Sequence, residues 1–239
     1  HQPMFHLLSM LSISDLGLSL SSLPTTLGLF LFSVHEIHAA ACFAQEFFIH
    51  LFTVTEDSVL SVMAFDGYVA IHNPLRYSTI LTSSRVIKTG LLLTSKNVPL
   101  ILPLPFLLQW LIYCHQNLLS HSYCLHQDVM KLACSDNRVN VVYGLFAVLS
   151  TILDLLFITF SYIMILKTVL GIATPREQLK ALNTCISHVC AVLIFCVPML
   201  SAAMLHRFAR DVSPLIHILM AVFLLVPLLM NPIVYCMKT

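Results

Sequence analysis

Charge is scarce in this chain. Asp, Glu, Lys and Arg make up 10% of its 239 residues, where a soluble domain carries about 25%. Hydrophobic residues make up 58% and the mean hydropathy is +0.90. That balance excludes a water-soluble globular domain and points to an integral membrane protein. The net charge is only +1, so no basic surface argues for nucleic acid. The glycine patterns that cradle phosphates and the HExxH zinc pair are both missing, and no cofactor is expected. Internal repeats of the kind that mark many transporters are also missing. The chain opens on His1, without an initiator Met or a signal peptide, and reads as a sequence cut at the front.

What the chain does have is apolar runs of membrane length. Six spans are expected, near 5–31, 40–65, 86–108, 141–166, 181–204 and 213–235, with a long loop over 109–140. Each reaches the roughly 20 residues that a helix needs to cross a bilayer. The expected fold is all-α and transmembrane, a single helical domain over 1–239. Prolines 24, 99, 103, 105, 198, 227 and 232 fall within or at the ends of these spans. Neighbouring groups can re-satisfy the backbone at such sites.

Lysine and arginine set the orientation. Arg76, Arg85, Lys88, Lys167, Arg176, Lys180 and Lys238 fall on one side, against Lys131, Arg138, Arg207 and Arg210 on the other. The richer side is assigned to the cytoplasm, which puts the Asp66 end of span two inside. Both chain ends are then cytoplasmic, and a preceding span is expected. Cys42, Cys114, Cys124 and Cys134 all fall on the outer side, where disulfides persist; four cysteines allow three pairings. Cys185, Cys190, Cys196 and Cys236 are expected within helices and read as small buried hydrophobes. His115, His121 and His126 surround Cys124, but their spacing matches no closed zinc pattern, and no metal is assigned to them.

Ionisable residues inside a membrane are costly and mark function or pairing. Glu46, His50, Thr53, Asp57 and Ser61 share one helical face. It reads equally as the lining of an outward-opening cavity or as a buried interhelical seam. Glu56 projects to a different side, where it could meet Asp15 of span one and hold a cation, or form a structural pair with one carboxyl protonated. At the outer end of span five lies HRFAR. Arg207 there either snorkels to headgroups or turns its planar fork to a carboxylate ligand. Asp15, Asp57 and Asp154 lack the glycine motif of an intramembrane aspartyl pair, so the chain is not expected to be an enzyme. The stretch MAFDGYVAIHNPLRY, residues 63–77, ends the second apolar run with Asp66 followed by Gly67. By position alone this is an acid at a helix end, solvated at the interface, beside a helix-weakening glycine.

These residues also carry a resemblance. MAFDGYVAIHNPLRY resembles the MAFDRYVAICNPLRY signature of olfactory receptors, which are rhodopsin-like G-protein-coupled receptors. LSISDLGLSLSSLP, HSYCLHQDVMKLACSD, KALNTCISHVCAVLIF and NPIVY match further signatures in order. The loop HSYCLHQDVMKLAC and the stretch SPLIHILMAVFLLVPLLMNPIVY are most similar to class I, the fish-like branch, and there to family 51.

The resemblance implies a seven-helix bundle of which this chain carries helices two to seven. It implies disulfides Cys42–Cys124 and Cys114–Cys134, and an odorant pocket at His50, Gln127 and Arg207, with Ala203 one turn before Arg207 where relatives often offer a serine. It implies an activation cluster, with sodium or a proton, at Asp15, Glu56 and Asn231. Coupling to a stimulatory heterotrimeric G protein would run through Asp66, Gly67, Tyr68 and Tyr235. Class I receptors favour small hydrophilic odorants, often carboxylic acids. The implied location is the plasma membrane of olfactory sensory cells or of an ectopic tissue. Three positions depart from the pattern. Cys196 replaces a helix-six tyrosine, Asp57 adds a second carboxyl beside Glu56, and Gly67 replaces the arginine that pairs with the acid and later meets the G protein. Two expectations follow: a signalling odorant receptor, or a receptor remnant that does not signal.

Overall fold

The computed structural model describes residues 2–114, 119, 123–171 and 174–208. In chain order the helices are α1 (Gln2–Phe32), α2 (Ala39–His72), α3 (Tyr77–Ile80), α4 (Ser83–Ile101), α5 (Pro103–Gln109), α6 (His126–Lys131), α7 (Arg138–Leu170) and α8 (Pro175–Phe208). Among the described residues there is no strand, only an isolated bridge between Tyr113 and Ala133. Among the described residues four segments are long and apolar enough to span a bilayer: Pro3–Phe32, Ala39–His72, Ser83–Gln109 and Arg138–Leu170. α8 carries a shorter apolar stretch, His188–Ser201. The expected span at 213–235 lies outside the described residues.

Local chemistry explains where these helices start and stop. α2 begins at His38, whose ring Nδ1 accepts from the Ala40 amide at 3.3 Å. It ends at Asn73, because the following Pro74 disfavours the helical conformation for the residue before it. The helix therefore runs seven residues past the expected end at 65, and Asp66 and Gly67 lie inside it. The third span is divided at Leu102, and Pro103 restarts the chain as the first residue of α5, where proline is pre-set for a helix.

α2 is the axis of the assembly. Over its apolar window 56% of residues are buried, against 28% for the first and third spans and 22% for the fourth. α1, α4, α7 and α8 all contribute to the core around Val59, Leu60, Met63 and Ala64. The polar hydroxyls of α1 fold back along their own helix: Ser9, Ser12, Ser19, Ser21, Ser22 and Thr26 each donate to the carbonyl four residues earlier. That satisfies them without a partner helix.

Two glycines set how closely the helices approach. A Cβ at Gly17 would overlap the Phe52 ring of α2, and one at Gly90 would overlap the Met10 thioether of α1. Small residues at such crossings let helices pack tightly where no hydrophobic force drives them together. We expect Gly17→Leu to lower stability by about 1–3 kcal/mol, the usual range for overpacking. Gly28→Ala, whose new Cβ would meet only Val34 at 3.9 Å, is expected to be neutral or stabilising. Thermal unfolding of the detergent-solubilised protein checks both.

Candidate functional site

At the outer end, two disulfides tie the long loop down: Cys42–Cys124, with Cα atoms 5.4 Å apart, and Cys114–Cys134, at 5.8 Å. The loop is held further by Gln45 of α2. Its Oε1 accepts from the Cys124 amide at 2.9 Å, and its Nε2 donates to the Ser21 carbonyl at 2.7 Å and to the Thr25 hydroxyl. One buried amide thus links α1, α2 and the loop. One residue on lies Glu46, fully buried, with its Oε1 3.3 Å from His126 Nδ1 and 3.8 Å from His50 Nε2. His126 opens α6, and Gln127 beside it is buried. His50 and His126 therefore converge on Glu46, and Gln127 follows His126 in α6.

In the middle of the bundle the same face of α2 meets α7 and α8 at Asp57 and Ser61. Asp57 is 1% exposed, and its Oδ1 accepts from the Cys196 thiol at 3.4 Å. The Thr151 hydroxyl is a second partner. Two of the three departures from the family pattern thus touch each other. Beside them the Ser58 hydroxyl reaches Asp154 Oδ2 at 3.4 Å, Ser61 donates to the Asp154 carbonyl at 3.3 Å, and Asn97 of α4 donates to Ser58 at 3.3 Å. Glu56, fully buried, projects the other way and has the Asp15 carboxyl of α1 as its neighbour.

At the cytoplasmic end, the picture of a solvated helix end is corrected. Asp66 is 5% exposed, and its Oδ1 accepts from the Tyr77 hydroxyl at 3.0 Å. The turn over Asn73–Arg76 reverses the chain and brings Tyr77 back beneath the acid. Arg76, the nearer cation in sequence, stays exposed. Burial, then the Asp66 charge and hydrogen bond, push the Tyr77 phenol up to about 12. Gly67 sits in the last two turns of α2 facing α7, and a Cβ there would meet only Ile165 Cδ1, at 3.8 Å. Tyr68 stacks on His72, with ring centroids 5.1 Å apart. Nearby, the Tyr162 hydroxyl of α7 contacts His188 Nδ1 of α8.

Ala203 and Arg207 fall on α8, but their side chains lie outside the described residues, and so do Asn231 and Tyr235 entirely. Among the described residues no group of three or more His, Cys, Asp or Glu is arranged to hold a metal. Composition and periodicity had not singled out Tyr77 or the Glu46–His126 contact. The signal for Tyr77 was available in Asn73–Pro74, a strong turn signal that follows Asp66 and precedes Tyr77.

The family model described as olfactory receptor matches residues 1–239. The chain belongs to the olfactory receptor family. It is 63% identical to olfactory receptor 51A4 and 62% identical to olfactory receptor 51A7, both of Homo sapiens, over 240 residues that cover 100% of this chain and 77% of each relative. Human olfactory receptor 51L1 is 54% identical over 241 residues, covering 76% of its length. As an olfactory receptor the protein is a multi-pass plasma-membrane protein of the odorant-sensing G-protein-coupled class and not an enzyme. The helical, strand-free architecture of the described residues fits that bundle.

The Asp66–Tyr77 bond gives a prediction with a defined sign. Because the folded-state phenol is pushed up from 10.0 to about 12, its stabilising contribution is complete below pH 10 and lost as pH rises through 12. Tyr77→Phe is expected to lower the unfolding temperature at pH 7. It should also flatten the decline of that temperature between pH 10 and 12, as read by thermal scans at stepped pH.

Proposed function

We propose that this olfactory receptor captures small hydrophilic odorants, carboxylate-bearing ones above all, at the outer end of α2, and passes the signal to a stimulatory heterotrimeric G protein. The observation that carries the ligand side is the convergence of His50 of α2 and His126 of the disulfide-tied loop on Glu46, with Gln127 buried beside His126. In this reading Arg207 supplies the bidentate fork for the carboxylate. Ala203, lacking a hydroxyl, leaves that turn of the pocket apolar. A bound odorant acts only through its differential affinity for the two receptor states.

Asp15 and Glu56, completed by Asn231, form the activation cluster. Two carboxyls this close need a shared proton or a cation between them. Sodium suits the site, being a hard cation that oxygen ligands hold. Replacing N-methylglucamine by sodium at constant ionic strength is expected to stabilise the purified receptor by about 1 kcal/mol, the mass-action gain at a few times Kd. Asp15→Asn should abolish that gain in a thermal-shift titration.

A second reading, a receptor that binds but does not signal, is favoured by Gly67. Without an arginine there, Asp66 has a tyrosine partner but the G protein has lost its contact. A Cβ at Gly67 would make only an ordinary contact with Ile165, so Gly67→Arg is the variant that tests this reading. With short-chain acids as ligands and surface staining as control, Gly67→Arg is expected to raise the cAMP response about 5- to 150-fold, the usual span of a coupling free energy. Equal responses from both versions would sink the claim that Gly67 limits coupling.

A further inference from the structure

We propose that two copies of this receptor pair in the membrane through α4 and α7, with Lys96 of each copy against the partner's Asp154. Lys96 is the central residue of the membrane-length segment Ser83–Gln109, and Asp154 is the central residue of Arg138–Leu170. At 1.5 Å of rise per residue each lies about 20 Å from either end of its segment. A lysine stem is too short to carry its ammonium that far, so Lys96 does not snorkel to the headgroups. Yet Lys96 is exposed on the outside of the bundle, and Asp154 is half-buried. A cation at mid-membrane is costly without an anion and marks a partnered surface.

Lys96 and Asp154 lie at one depth. The Ser58 hydroxyl of α2 donates to the Asp154 carboxylate at 3.4 Å, and it accepts from Asn97, the residue after Lys96, at 3.3 Å. Ser58 is thus the floor of a polar cleft with α4 on one side and α7 on the other. Toward the outer end the Tyr143 hydroxyl of α7 donates to the Leu100 carbonyl of α4 at 2.9 Å. Leu100 is four residues from Lys96, so the two share a face of α4. Within one copy the Lys96 charge acts on Asp154, but among the described residues no ion pair joins them. Thr94 and Ser95, also exposed, donate to the Gly90 and Leu92 carbonyls of their own helix and need no partner. The ammonium, with three donors and a full charge, is the group of this patch that calls for an anion.

Whatever covers this face must carry that anion at the same depth, inside the hydrocarbon. A second copy does. A twofold axis along the membrane normal keeps every residue at its depth and makes the contact self-complementary. Lys96 meets the partner's Asp154, and the partner's Lys96 meets Asp154, so both pairs form in one step. Leu92, one turn before Lys96, and Leu153, beside Asp154, are 68% and 57% exposed. They flank the charges and supply the apolar part of the contact.

The test reconstitutes the full receptor, labelled in separate batches with donor and acceptor dyes, into phosphatidylcholine vesicles. Energy transfer is followed as added lipid dilutes the protein. In the wild type it is expected to fall along a dimer isotherm. Lys96→Met should raise the apparent dissociation constant about tenfold, the effect of losing two interhelical contacts of ordinary strength. Lys96→Arg should leave it near the wild-type value. Charge exchange then identifies the partner. Lys96→Asp places four acids in a homodimer contact and Asp154→Lys places four bases there, so each variant alone should stay monomeric. Mixed together, the two variants should pair. Wild-type transfer no greater than that of a monomeric membrane protein at every dilution overturns the proposal, and so does an unchanged dissociation constant in Lys96→Met. Absence of mixed pairing between two variants that each unfold cooperatively overturns it as well. If either reversal variant fails to fold, Lys96→Met decides, with thermal unfolding as its control. A lowered unfolding temperature at an unchanged dissociation constant assigns Lys96 to Asp154 of its own copy and overturns the proposal.

Discussion

A helix that carries buried acids through a membrane must be surrounded by their partners, and α2 is such a helix. Glu46, Glu56, Asp57 and Asp66 are spaced along it, and all four are buried. None of them can face lipid. Each is met from a different element: Glu46 by α6, Glu56 by α1, Asp57 by α7 and α8, and Asp66 by α3. The polar stripe of one helix thus prescribes where its neighbours lie. Apolar contacts at Gly17 and around Leu60 then close the gaps. Apolar packing alone would let these helices slide, since lipid tails are as apolar as leucine.

The same constraint explains two of the unusual residues together. Asp57 adds a carboxyl where the family pattern has a small polar group, and Cys196 removes a tyrosine. In the folded protein the thiol donates to the carboxylate, so the smaller side chain leaves room for the acid and supplies it with a donor. Gly67 has no such compensation on its own helix. Its acid neighbour is instead satisfied by a phenol from across the turn. Asp66 is therefore held by a neutral donor and not by an ion pair.

Much of the fold was legible in the sequence because membrane length and hydropathy are local properties. Helix ends were less legible. α2 overran its expected end because Gly67 is only mildly unfavourable inside a helix, while the real stop lies at Asn73 before Pro74. The carboxyls of Asp15 and Glu56 were recognisable as a potential pair because each stands out in an apolar run. His126 was visible only as one of several loop histidines. Nothing in its spacing pointed to Glu46, eighty residues earlier, because a disulfide and a turn of α6 carry it there.

The sequence by itself determined the environment, the helical class, the family and the list of costly buried groups, because each of these follows from composition or from short contiguous patterns. Only the tertiary structure decided which group satisfies which acid: Tyr77 rather than Arg76 for Asp66, Cys196 for Asp57, and two histidines for Glu46. The physical reason is that electrostatic pairing depends on distances of a few ångströms in a low-dielectric interior. Those distances are set by how helices far apart in the chain are packed and crosslinked, and not by their spacing in sequence.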